Sequence, residues 1–94
     1  MSDIQRDKQF WELADSFIQL ANSHLNEVKP SKVSASALFA AARFNAFIIT
    51  ASTSSKEQLI AEKESAVAYF MEQYERMLRE NIDEHLARYD KPDA

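Results

Sequence analysis

The sequence predicts an all-α chain, a three-helix bundle of long antiparallel helices, assembled as a homodimer. Three observations carry that expectation. Glycine is absent from the 94 residues, and the two prolines are Pro30 and Pro92. A sheet-based domain needs a turn residue at each reversal, and glycine fills such positions at the least steric cost. A chain without it has few reversals and long elements. Second, apolar residues recur at helical spacing in three runs separated by two short polar breaks. Third, the chain is 46% hydrophobic, which suits a packed core rather than disorder. The length predicts a single helical domain over 1–94.

Helix 1 is predicted over about 2–28. Ser2 followed by Gln5 fits a capping box, and Asp3 suits the first turn. Phe10, Ala14, Phe17, Ala21 and Val28 form one stripe, flanked by Trp11, Ile18 and Leu25 on one side and Leu13 and Leu20 on the other. Together they cover an arc of roughly 200°, wide enough to touch two neighbouring helices. Lys29, Pro30 and Ser31 then break the pattern, because Pro30 disfavours helical geometry at the residue before it.

Helix 2 is predicted over about 32–51, capped by Ser31 or Ser34. Its run SASALFAAARFNAFIITA is apolar almost all round, the pattern of a helix buried on most sides. A membrane span would need the same composition. Arg43 and Asn45 stand near its centre, however, and an arginine at mid-bilayer costs about 3 kcal/mol or more. The expectation is therefore a soluble chain with no membrane.

Ser52, Thr53, Ser54 and Ser55 make the second break. Ser54 with Glu57, or Ser55 with Gln58, forms a capping box for helix 3, predicted over about 56–89. Its stripe is Ile60, Val67, Phe70, Met71, Tyr74, Met77, Leu78 and Ile82. Glu72 to Arg76, Glu75 to Arg79 and Glu84 to Arg88 are outward i,i+4 pairs in the favourable order. The tail beyond Tyr89 is expected to fray.

At a rise of about 1.5 Å per residue, helix 3 reaches about 50 Å, helix 1 about 40 Å and helix 2 about 30 Å. Ile82, Leu86 and Tyr89 would then project past the end of helix 2. The middle helix also has more apolar circumference than two partners hide. Both features predict a homo-oligomer, most simply a twofold dimer with Ile82, Leu86 and Tyr89 at its interface.

The formal net charge is −4. Lys29, Lys32 and Arg43 make only a thin basic patch, which excludes a nucleic-acid footprint. No cysteine is present, so disulfides, thiolate metal sites and cysteine nucleophiles are excluded. The start, MSDIQRDKQFW, lacks the basic head and apolar run of a signal peptide, and a cytoplasmic location is the expectation. The glycine-dependent motifs for nucleotides and nucleophilic serines are missing, as is HExxH. No catalytic residue, metal ligand or cofactor is predicted.

Arg43 and Asn45, within ARFNAF, are the least ordinary residues for their surroundings. A guanidinium on a buried helix must be paired. Counting outward from each loop brings Asp15 and Glu64 near it. The commoner cause of such an arginine is an ion pair that fixes helix register. The functional alternative is a small-molecule or anion site in which Arg43 holds a carboxylate or phosphate, with Asn45, Glu64 and Asp15 around it. His24 and Glu27 form an HxxE pair, but the repeated Glu-x-x-His pattern of a di-iron bundle is missing. Asn81 is expected to satisfy backbone groups near the first loop.

Three blocks carry a family resemblance: FWELADSFIQLAN (10–22), KVSASALFAAARFNAFI (32–48) and YFMEQYERMLRENID (69–83). With these the chain resembles a bacterial family of small helical proteins, domain of unknown function 3144. The resemblance implies a small helical bacterial protein and carries over no catalytic or binding residue. The function expected from the residues is a non-enzymatic homo-oligomer working through protein contacts, with a further copy or an unidentified protein as partner.

Overall fold

A computed structural model describes residues 5–89 of the chain. Among them stand three helices, α1 (Lys8–Ser23), α2 (Pro30–Ala51) and α3 (Lys56–Tyr89), and no strand. The chain divides into two compact units, Met1–Phe47 and Ile48–Ala94, with α2 running unbroken through the division.

α1 is shorter than its apolar pattern predicts. Asp7 is the N-cap, with extended backbone, and its carboxylate accepts the N–H of Phe10 at 2.9 Å. That bond satisfies one of the donors a helix start leaves open, so the helix begins there rather than near Ser2. Ser2 and Asp3 lie outside the described residues. At the other end the helix stops at Ser23, although Leu25 and Val28 continue the stripe. Asn22, Ser23, His24 and Asn26 are weak helix formers, and the Ser23 hydroxyl bonds back to the carbonyl of Leu20 at 2.6 Å. The backbone then tightens into i,i+3 bonds, His24 to Ala21 and Leu25 to Asn22, both 3.1 Å. Local polar competition beats hydrophobic periodicity here.

α2 opens on Pro30 itself. Proline suits the first helical position, where its missing N–H is one of the unpaired donors in any case. The Lys29 carbonyl accepts the first helical bond, from Val33 at 3.1 Å. Ser31 and Ser34, expected as caps, therefore lie inside the helix. It ends as Ser52 and Thr53 bond their hydroxyls back to the carbonyls of Ile49 and Thr50, both at 2.8 Å.

α3 starts on the Ser55–Gln58 box. The Gln58 N–H donates to the Ser55 hydroxyl at 3.1 Å, while the Gln58 side chain accepts from the Ser54 N–H at 2.8 Å. The helix reaches the last described residue without interruption. Its exposed positions carry the expected pairs, Arg76–Glu72 at 3.2 Å, Arg79–Glu75 at 2.9 Å and Arg88–Glu84.

Burial is sparse. Ala66 on α3, at 4% exposure, is the one buried residue among those described. The expectation that helix 2 is buried on most sides does not hold within one chain, since no residue of α2 is buried. A helix apolar around its whole circumference needs neighbours on every side, and a single copy does not supply them.

Candidate functional site

Arg43 and Asn45 do not share a face. Two residues apart on a helix, at about 100° each, they point about 200° from one another. Exposure agrees, because Asn45 is half-buried and Arg43 is exposed. Among the described residues no ion pair involves Arg43, and Asp15 and Glu64 are exposed without one. The contact Arg43 does make is with its own helix: the guanidinium carbon sits 5.8 Å from the centre of the Phe39 ring. An i,i+4 stack of this kind keeps the charge in water and covers part of the ring. The pairing predicted from counting rested on burial of Arg43, and that burial is absent. Among the described residues the ion pair expected of Arg43 is not formed.

The other polar candidates stay dispersed. No group of three or more His, Asp or Glu among the described residues comes close enough to hold a metal ion. His24 belongs to the turn after α1, and His85 is exposed on α3. Asn81 donates to the carbonyl of Met77 on its own helix at 2.7 Å, rather than to a loop.

What the structure concentrates is uncovered apolar surface. On α2, Phe39 is 65% exposed and Phe47 is 64% exposed, with Leu38, Phe44 and Ile48 also exposed. By length and composition α2 is long and apolar enough to cross a bilayer: it has 22 residues, and its most apolar window reaches a mean hydropathy of 1.4. On α1, Phe17 is 70% exposed and Trp11, Leu13, Ile18 and Leu20 are exposed beside it. Large apolar surface left uncovered marks interaction sites in folded proteins where it is contiguous.

α3 sorts its apolar residues into two faces that its sequence stripe merges. Leu59, Ala66 and Phe70 are buried or half-buried. Ile60, Val67, Met71, Tyr74, Leu78 and Ile82 are exposed, and so are Leu86 and Tyr89, the latter at 87%. At about 100° per residue, the exposed set centres about a third of a turn from the covered set. Spacing alone carried that signal, since residues eleven apart return to nearly the same direction on a helix.

These features define a class: a chain whose described residues form three helices and no strand, with apolar surface mostly uncovered. The chain belongs to the family described as protein of unknown function, DUF3144, which it matches over residues 10–86. That match takes in all of α2 and most of α1 and α3. No curated protein and no solved structure matches it.

Proposed function

We propose that the chain is a non-enzymatic, cytoplasmic helical protein that self-associates as a homodimer and works through protein contacts. One observation carries the reading: α2, almost wholly apolar, has no buried residue in a single copy. Burying apolar surface is worth about 25 cal/mol per Å², so an uncovered phenylalanine-rich helix strongly favours association. A second copy is always present at matching concentration, and a twofold contact uses the same patch on both sides. Short connections of this kind favour antiparallel packing of consecutive helices. Light scattering at micromolar concentration tests the reading. The expected mass is twice the 10.8 kDa of the chain; a monomer that stays folded overturns it.

The competing reading is a membrane span, favoured by the length and hydropathy of α2. Arg43 is the fourteenth of its 22 residues, and a charge that deep costs about 3 kcal/mol on the insertion scale. Flotation with neutral phosphatidylcholine vesicles separates the two. Self-association predicts protein left in the aqueous fraction, whereas recovery with the vesicles would favour the span.

A further inference from the structure

Beyond Ile60, the centre line of the exposed stripe of α3 has a symmetry of its own. From Val67 it runs to Met71, Tyr74, Leu78, Ile82, His85 and Tyr89, in steps of 4, 3, 4, 4, 3 and 4 residues. All seven side chains are on exposed residues. At about 100° per residue they fall within an arc of about 80°. The steps make two eleven-residue repeats, whose period lies close to that of a straight helix, so the stripe runs nearly along the axis. Read backwards from Tyr89, the spacing is identical, and Leu78 is its centre.

Resting on the self-association proposed above, we infer that a second copy of the chain covers this stripe, with the two α3 helices antiparallel and a twofold axis through Leu78. A twofold contact requires that if one residue meets another, the reverse contact also exists, and palindromic spacing delivers that for these seven positions. Leu78 meets its equivalent. Tyr74 faces the partner's Ile82, and Met71 faces the partner's His85, a sulfur against an aromatic ring. Val67, the smallest, faces the partner's Tyr89, the largest, which is the large-against-small alternation that fills a helix interface. The overlap extends about 33 Å.

Charge selects the same direction. Glu75 and Arg79 lie along one edge of the stripe, three residues before Leu78 and one after. They already pair within the helix at 2.9 Å. An antiparallel twofold lays like edge against like edge, so each Glu75 comes within about 3 Å in height of the partner's Arg79. The two intrahelical pairs join into a four-charge network. A parallel pairing instead sets that edge against Phe70, Met77 and Asn81 and leaves the charges without a counterpart. It also stacks His85 on His85.

The chain has no cysteine, so single-cysteine variants report contacts cleanly. A disulfide needs Cα atoms roughly 4.4–6.8 Å apart. Under mild oxidation, Leu78→Cys is expected to convert most of its monomer band to covalent dimer. Met71→Cys and His85→Cys should each stay largely unlinked alone and cross-link when mixed. Asp83→Cys, on the far side of the helix, sets the collisional background. If Met71→Cys and His85→Cys each link alone, the helices are parallel and the inference fails. If no variant exceeds the Asp83→Cys background while light scattering still gives a dimer mass, the seam lies elsewhere; self-association then stands and the inference falls. A monomeric parent chain overturns both.

Discussion

α2 and α3 solve different problems with similar materials. α3 separates its surfaces: a covered face through Ala66, an uncovered apolar stripe, and a charged side laced by the pairs Glu72–Arg76 and Glu75–Arg79. α2 separates nothing. It is apolar around its circumference, carries Arg43 as its single charge after Lys32, and has no ion pair among the described residues. A sorted helix specifies both which side meets protein and which meets water. An unsorted one specifies only that it be covered. In the proposed dimer, orientation and register are thus written on α3, while the drive to associate is concentrated on α2.

The largest effect should come from charging the unsorted helix. In an isolated chain, Phe47→Glu is a surface substitution, worth within about 0.5 kcal/mol. In an assembly that covers α2, it places a carboxylate in an apolar contact, where desolvation costs several kcal/mol. The expected outcome is loss of the dimer by light scattering and a melting temperature lowered by many degrees in circular dichroism. The same charge on the solvated side of α3, Ala87→Glu, should stay within about 0.5 kcal/mol. Equal, small effects from the two would erase the contrast between the helices.

The helix starts sharpen the comparison. α3 begins on a reciprocal set of bonds between Ser54, Ser55 and Gln58. α2 begins on Pro30, with no side-chain hydrogen bond at its start among the described residues. Ser55→Ala should therefore cost about 1 kcal/mol, read from urea unfolding followed by circular dichroism. Ser31→Ala, which removes no bond, should move the midpoint by less than about 0.3 kcal/mol, since alanine is also the better helix former. A large loss from Ser31→Ala would reveal a cap supplied in the assembly.

The legibility of these elements in the sequence followed the same divide. The start of α3 at Lys56 was readable because capping chemistry and periodicity agree there. The start of α2 lay two residues upstream of the expected one, because Pro30 reads as a breaker but also suits the first helical position. α1 failed at both ends for one reason: the stripe from Phe10 to Val28 reports which residues are apolar, while Asp7 and the Ser23 hydroxyl decide where helix is made. Asp7 was a legible cap, three residues before Phe10, masked by the earlier Ser2. The exposure of Arg43 was not legible, because the apolar run around it reads as a buried helix. Sequence spacing already puts Arg43 and Asn45 on opposite sides of a helix, and counting along loops fixes no distance from Arg43 to Asp15 or Glu64.

Arg43 itself gives a smaller effect. Its recorded contact is the Phe39 ring, 5.8 Å from the guanidinium carbon, and an exposed cation–π contact contributes about 0.5–1 kcal/mol. Arg43→Met keeps the stem that covers the ring and removes the charge. The expected change in unfolding free energy is below about 1 kcal/mol, with inorganic phosphate failing to bind either form in calorimetry. A loss of about 3 kcal/mol or more would mean that the assembly buries Arg43 against a carboxylate. Phosphate binding that vanishes in Arg43→Met would instead restore the anion site.

The smallest effect tests whether the charged side of α3 does more than keep it in water. Glu72 and Arg76 pair at 3.2 Å, with both side chains about two-thirds exposed. Such pairs contribute about 0.3–0.5 kcal/mol and are screened by salt. Glu72→Gln should lower stability by that amount in dilute buffer and by almost nothing at 1 M sodium chloride. Glu75→Gln begins from the same kind of pair, at 2.9 Å. It should cost more, because in the antiparallel seam Glu75 also answers the partner's Arg79. The excess should appear in the dissociation constant rather than in the unfolding of each copy, and it should persist in salt to the extent that the seam excludes water. Equal effects for Glu72→Gln and Glu75→Gln at every salt concentration would place both carboxylates on plain solvent-facing helix and remove Glu75 from the seam.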